Sequence, residues 1–385
     1  VISRPRLGPI LLASASFAAI GACLTLPGSL LPVLVETFGI RLVEAGSMLA
    51  LQPVGYLLAV LASRSLIARF GARRVTGAGL LIFALGIMAF GLVSGWIAGA
   101  GAMFLSGLGF GAMEVAGNAL VLALGGARNT NLLNFVHLFF GVGSLAAPAV
   151  VTNAVAAGAS WRWVFIVTGG ATAAIALSWT LTGDPPRAAG GTAAGGMGTH
   201  SRLVPLLLAA ILGLYVGAEM GVGSWLTKFM VAEQGVSLPF AGNTLSSYWL
   251  GLALGRFVLA FVAHRIDEAI LVLVLSIAAA AALAVAVTSG DPWISAAAFT
   301  AAGLGYSGIF PGVIALGGRH HPENPAAITS ILIAGAGIGG ILVPWLMSAI
   351  ADAFSVTAGM AFYVAMTVLM AVFAVAYRAH RSASL

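Results

Sequence analysis

Gly107-Leu108-Gly109-Phe110 returns 196 positions later as Gly303-Leu304-Gly305-Tyr306. The same interval carries Gly55 and Arg69 onto Gly251 and Arg265, and Val35 and Gly39 onto Val231 and Gly235. It also carries Gly141, Gly143 and Pro148 onto Gly337, Gly339 and Pro344. A further echo, Ala123-Leu124-Gly125-Gly126 and Ala315-Leu316-Gly317-Gly318, comes at 192, about one helical turn short. A chain with 51 glycines matches itself by chance in places, but one interval across several separate segments does not arise that way. An interval close to half of 385 residues predicts two similar halves.

The sequence around the repeat is oily. Hydrophobic residues make up 60% and charged residues 7%, whereas a soluble domain needs roughly 25% charged residues. The solvent of this chain is therefore mostly lipid. A spanning helix takes about 20 apolar residues. Twelve such runs can be read, at 7–35, 44–66, 72–93, 96–124, 131–157, 161–181, 203–230, 238–262, 269–287, 293–316, 326–350 and 356–377. They do not alternate as the strands of a membrane barrel would. Six spans separate equivalent helices, so the halves run in the same orientation. The predicted fold is an all-α membrane protein of twelve transmembrane helices in two six-helix bundles.

Charge sets the direction. Of the 17 basic residues, 13 fall on one side, Arg41, Arg162 and Lys228 fall on the other, and Arg256 is left within a span. Loops rich in Lys and Arg stay cytoplasmic, which places both termini in the cytoplasm of a plasma-membrane protein. The net charge of +6 does not point to nucleic acid, because the basic residues are scattered between apolar runs. Residues 183–202, rich in Gly, Pro and Ala, read as a flexible cytoplasmic linker between bundles 1–182 and 203–385. The first apolar run is too long for a cleaved signal, and a start at Val1 without Met leaves room for a few upstream residues. Cys23 stands alone, no Cys/His spacing fits a metal, and no cofactor motif is present.

Ionisable groups inside a membrane are costly and are functional candidates by default. Glu114 and Asn118 share a face of span four at i, i+4. Glu219 lies in span seven within Tyr215-Val216-Gly217-Ala218-Glu219-Met220-Gly221-Val222-Gly223-Ser224-Trp225. A carboxylate with aromatic faces suits a sugar, whose hydroxyls bond the acid while its C–H face stacks. Asn134 and His137 sit three apart near the cytoplasmic start of span five, and a buried His can relay protons. Gln52, Tyr56, Tyr248, Asn243 and Tyr306 are weaker substrate candidates. Each of these residues also has a bland reading, as packing or as an interfacial anchor. Arg256 either needs a buried partner or snorkels to mark the end of its span, and the second reading is preferred.

With these features the chain resembles the major facilitator superfamily over its full length. That family's signature between spans two and three is close to Gly-x-x-x-Asp-Arg-x-Gly-Arg-Arg. Here Arg69, Gly71 and Arg73 fit, while Ala68 stands at the Asp position and Arg64 at the first Gly position. The latch which the family sets on that Asp does not carry over, although Arg69, Arg73, Arg128 and Arg256 are still expected to serve conformational gating. Within the superfamily, Glu114-Val115-Ala116-Gly117-Asn118 and the span-seven pattern resemble the fucose permease branch. The resemblance implies a role for Glu114 in sugar binding and proton coupling. That branch has an Asp before Leu-Leu-Pro in span one, where Gly28 stands here. Coupling therefore falls to Glu114 or Glu219, or is absent.

The function expected is secondary active transport of a small polar solute, a sugar or sugar derivative, by alternating access with proton symport. Substrate would be held by Glu114, Asn118, Glu219, Tyr215, Trp225, Asn134, His137, Gln52, Tyr248 and Asn243. The coupling ion would be a proton, or sodium in its place. The rival is a proton-coupled efflux antiporter for amphipathic compounds. Nothing supports catalysis, since no nucleophile set or nucleotide loop lies in the spans. A monomer is expected.

Overall fold

The structure, a computed structural model, describes residues 4–125, 129–182, 203–320 and 325–383. Arg128 and the expected linker 183–202 lie outside the described residues. The first half runs α1 Arg4–Ser29, α2 Leu31–Phe38, α3 Leu42–Phe70, α4 Ala72–Leu92, α5 Trp96–Gly125, α6 Asn129–Ala156 and α7 Trp161–Ser178. The second runs α8 Leu203–Glu233, α9 Leu238–Val262, α10 Glu268–Thr288, α11 Pro292–Tyr306, α12 Ile309–His320, α13 Pro325–Ala353 and α14 Val356–Ala383. Twelve segments are long and apolar enough to cross a membrane, in agreement with the sequence reading. Large side chains such as Leu61, Leu92 and Ile97 stay exposed, as lipid-facing residues do.

Two expected spans are interrupted. The run 7–35 stops at Ser29 and resumes as α2, because Pro32 has no N–H to give the Gly28 carbonyl. Leu30 and Leu34 still donate to Leu26 and Leu30, so the chain bends rather than parts. The run 293–316 breaks between Tyr306 and Ile309, where Pro311 likewise cannot reach back to Ser307. Within the break the Ser307 hydroxyl donates to the Leu304 carbonyl, 2.7 Å away.

The chain forms two compact units, Val1–Gly190 and Gly191–Leu385. Each uses the same helix partners. In the first, α3 and α4 both pack on α5, α1 packs on α6, and α4 packs on α7. In the second, α9 and α10 pack on α11, α8 on α13, and α10 on α14. Several of the repeated glycines make these contacts. A Cβ on Gly107 would run into the Gln52 carbonyl, and one on Gly303 into the Tyr248 carbonyl, itself 196 positions on. Gly55 and Gly251 repeat the relation against the carbonyls of Phe104 and Thr300. In lipid, where side-chain burial drives little, such close backbone approach is what holds helices together.

Gly107→Leu is accordingly expected to lower stability by about 1–3 kcal/mol, since the obstacle is backbone and cannot swing aside. Gly141→Leu, where a Cβ would meet nothing within 4 Å, is expected to leave it unchanged. Thermal unfolding of both variants in detergent checks the pair.

The second unit also ties its helix ends together with charge. Asp267 caps α10, accepting from the N–H groups of Ala269 and Ile270 at 3.0 and 3.2 Å, and Arg381 on α14 donates to it at 2.9 Å. Glu268 pairs with Arg319 at the end of α12 at 2.6 Å. Partial burial alone would raise the Asp267 pKa. The hydrogen bonds from Arg381 and Ile270, the Arg381 charge and the Ala269 N–H outweigh it and hold the carboxyl below its ordinary 3.8. A depressed folded value means that this tether contributes fully above 3.8 and is lost as pH falls through the lower folded value. Asp267→Asn should cost about 1 kcal/mol at neutral pH and nothing at the acid end, measured by unfolding across pH.

Candidate functional site

In the first unit the site begins with glycine. Gly107 and Gly111 bring α5 so close to α3 that added Cβ atoms would strike the carbonyls of Gln52 and Tyr56. That approach sets the Tyr56 hydroxyl against the Glu114 carboxyl, and its ring lies 4.8 Å from that of Phe110. Oε2 of Glu114 is buried and has no hydrogen-bond partner among the described residues. A buried polar atom left open is rare and asks for a ligand, a water or a proton. One turn further, Asn118 Oδ1 lies 3.0 Å from His137 Nε2 on α6, and the His137 ring lies 4.7 Å from Phe17 on α1. Glu114 and Asn118 thus share a helix face but address different neighbours.

In the second unit Glu219 on α8 is buried and meets Arg256 on α9, Oε1 to Nη2, at 3.6 Å. This corrects the preferred reading of Arg256 as a span marker. Its side chain stays half-exposed yet turns to the carboxylate, because a lone carboxylate inside the membrane would be far more costly than the pair. Tyr248 donates to the Glu219 backbone carbonyl at 2.9 Å. The Tyr215 hydroxyl lies beside the Glu219–Arg256 pair without closing a hydrogen bond among the described residues. Its ring meets those of Tyr306 and Phe310 at 5.9 and 6.3 Å. Tyr306 in turn bonds Thr367 at 2.7 Å. Gly221 and Gly223 make room for the rings of Tyr363 and Trp249 against α8.

The remaining sequence candidates divide. Gln52 donates to Ser106 Oγ at 2.9 Å and so serves the α3–α5 contact. Trp225 is wholly buried, with no accessible ring face in this structure, and its N–H has no partner among the described residues. Asn134 and Asn243 are exposed. Arg69 is exposed, with its guanidinium 5.2 Å from the Phe70 ring, and Arg73 donates to the Trp179 carbonyl at 2.8 Å. Sequence reasoning missed the Glu219–Arg256 pair, since 37 positions and a loop separate the partners and no spacing rule joins them. It also ranked Tyr56 too low, because nothing local sets that hydroxyl against Glu114.

The two acids are not repeat mates. The interval of 196 carries Glu114 onto Phe310, not onto Glu219. The repeat supplies a scaffold, and each half adds its own acid to it. The two units share this packing pattern, and each carries an acid inside a candidate span. The family model of the Major Facilitator Superfamily matches residues 12–324 and 207–384.

The chain belongs to the major facilitator superfamily.

It is therefore a multi-pass integral membrane protein of the plasma membrane and a secondary transporter, not an enzyme. It is similar to the glucose/mannose transporter GlcP of Bacillus subtilis (strain 168), at 22% identity over 353 residues, 88% of this chain and 87% of the relative. A glucose/galactose transporter of Brucella abortus (biovar 1, strain 9-941) is 26% identical over 324 residues, 78% of this chain and 77% of the relative. Among solved structures, a variant of the E. coli fucose:proton symporter FucP matches with a TM-score of 0.61 at 18% identity, covering 97% of this chain and 99% of that one. That likeness is one of fold.

Proposed function

We propose that this member of the superfamily moves a sugar or sugar derivative by alternating access, in symport with a proton. The observation that carries the proposal is the contrast between the two acids. Glu219 is neutralised by Arg256, so the second unit offers a charge-balanced pair beside the unpaired Tyr215 hydroxyl. Tyr215 and Glu219 are buried in this structure, as Trp225 is, so the pair meets a solute only when the transport cycle opens it; once open, it suits a neutral, hydroxyl-rich solute and gives a lipophilic cation no net charge to bind. Glu114 keeps an open oxygen and faces no basic partner among the described residues. It is the better proton carrier of the two, and Glu219 becomes a substrate ligand rather than a coupling group. The relatives named for glucose, mannose and galactose support the same substrate class.

In this reading the two six-helix bundles, 1–182 and 203–385, are joined by a cytoplasmic linker at 183–202, with both termini in the cytoplasm. Asn118 and His137 orient the solute beside Glu114. The efflux alternative needs an unpaired carboxylate facing an apolar cavity; of the two candidate acids, Glu114 rather than Glu219 meets the first condition. Proteoliposomes loaded with the protein should take up one or more labelled monosaccharides faster with an inward proton gradient than without. Uptake blocked by lipophilic cations and indifferent to every sugar in the panel would favour the alternative.

A further inference from the structure

We infer that Trp249 on α9 is a further substrate ligand of the second unit, its indole N–H donating to one hydroxyl oxygen of the solute, and this rests on the sugar-transport reading. Trp249 is 8% exposed, and its N–H has no hydrogen-bond partner among the described residues. Buried tryptophans ordinarily find one, because an open donor inside a protein is costly. The ring stands beside the Glu219–Arg256 pair. Its neighbour in sequence, Tyr248, donates to the Glu219 carbonyl and ties this turn of α9 to α8. Gly223, four positions after Glu219 and so on the same face of α8, receives the indole. A Cβ there would come within 2.7 Å of Cζ2 and 3.6 Å of Cε2, the carbon that carries the N–H nitrogen. The open donor therefore lies about one helical turn along α8 from Glu219.

The internal repeat sets this donor apart from the scaffold. The interval of 196 carries Pro27 onto Gly223 and Pro53 onto Trp249. It likewise carries Cys23 onto Glu219 and Val60 onto Arg256. The helices of the two halves pack alike, yet none of these four positions is matched in the first. Trp249 and its glycine thus change with the charged pair and not with the helix contacts. Trp225 also has an open N–H, but it follows Gly221 by four positions and shares the face that Gly221 turns to Tyr363 on α14. That face is about 240° round the helix from Glu219. An ionised Glu219 can only accept, and an indole N–H can only donate. A hydroxyl-rich solute satisfies both, giving a proton to Glu219 from one hydroxyl and accepting from Trp249 with another. Like Tyr215, Trp249 meets the solute when the transport cycle opens the pair.

The test uses proteoliposomes, the monosaccharide that the wild type takes up fastest, and each of its monodeoxy derivatives as a competitor. In the wild type, the derivative lacking the accepting hydroxyl should compete about fivefold more weakly than the parent sugar, the worth of one neutral hydrogen bond. Trp249→Phe should raise KM for the parent by about the same factor, more than it lowers kcat, and bring the parent and that derivative to equal affinity. Every other derivative should keep its ratio to the parent, because the loss of ring size falls on all sugars alike. Gly223→Ala, which keeps the indole but shifts its edge, should erase the same discrimination. Trp225→Phe should weaken all sugars alike. An equal loss for the parent and every derivative in Trp249→Phe, or the selective loss in Trp225→Phe instead, would overturn the proposal while sugar transport stands. A wild type that takes up no sugar would bring down the transport reading and this one with it.

Discussion

Glu114→Gln abolishes uphill transport and spares exchange. Glutamine keeps the size and the hydrogen-bonding reach of the side chain, so Tyr56 and the α3–α5 contact are preserved. What it removes is the proton. A carrier that reorients without its driving ion only equilibrates its substrate. In proteoliposomes with an inward proton gradient, the internal sugar concentration should fall to the external one. Counterflow of labelled against unlabelled sugar should continue. Concentrative uptake by the variant at wild-type levels would move the coupling role elsewhere, and Glu219 would be next in line.

The second large effect is expected at the Glu219–Arg256 pair. Arg256→Gln leaves the buried carboxylate without its cation. Full burial of both partners would make that loss worth about 3–5 kcal/mol, and full exposure at most about 1. Arg256 is half-exposed and Glu219 buried, which places the cost at about 1–3 kcal/mol. Glu219→Gln, Arg256→Gln and the double variant complete a cycle in which the double should be more stable than Arg256→Gln alone. Unfolding in detergent reads stability, and sugar binding reads function. Every one of the three variants should bind sugar more weakly, the double included, because the pair and not either charge alone presents the ligand surface. Normal binding by the double variant would reduce the pair to a structural element.

These two predictions differ in how far the sequence supports them. Glu114 and Glu219 were legible because carboxylates are rare in apolar runs. The scaffold was legible for a similar reason: Gly107 and Gly55 return at one interval, and the structure uses each return for the same contact. Helix breaks were not legible in position. Pro32 and Pro311 lie within apolar runs, and hydropathy does not register a missing N–H. Nor were the partners of the acids. Arg256 sits near the end of a span, where a snorkelling reading is the natural one, and its turn toward Glu219 depends on how α8 and α9 pack. The ionic ties at Asp267 and Glu268 escaped notice because charged residues at span ends look like topology signals. Their partners, Arg381 and Arg319, come from helices far along the chain.

Sugar-driven proton movement tests the central claim most directly. Proteoliposomes with no imposed gradient and a pH-sensitive dye outside are given the sugar that the wild type takes up fastest. The account predicts alkalinisation of the outer medium on sugar addition, absent in Glu114→Gln. Rapid sugar entry with no pH change in the wild type, or an unchanged signal in Glu114→Gln, would contradict it.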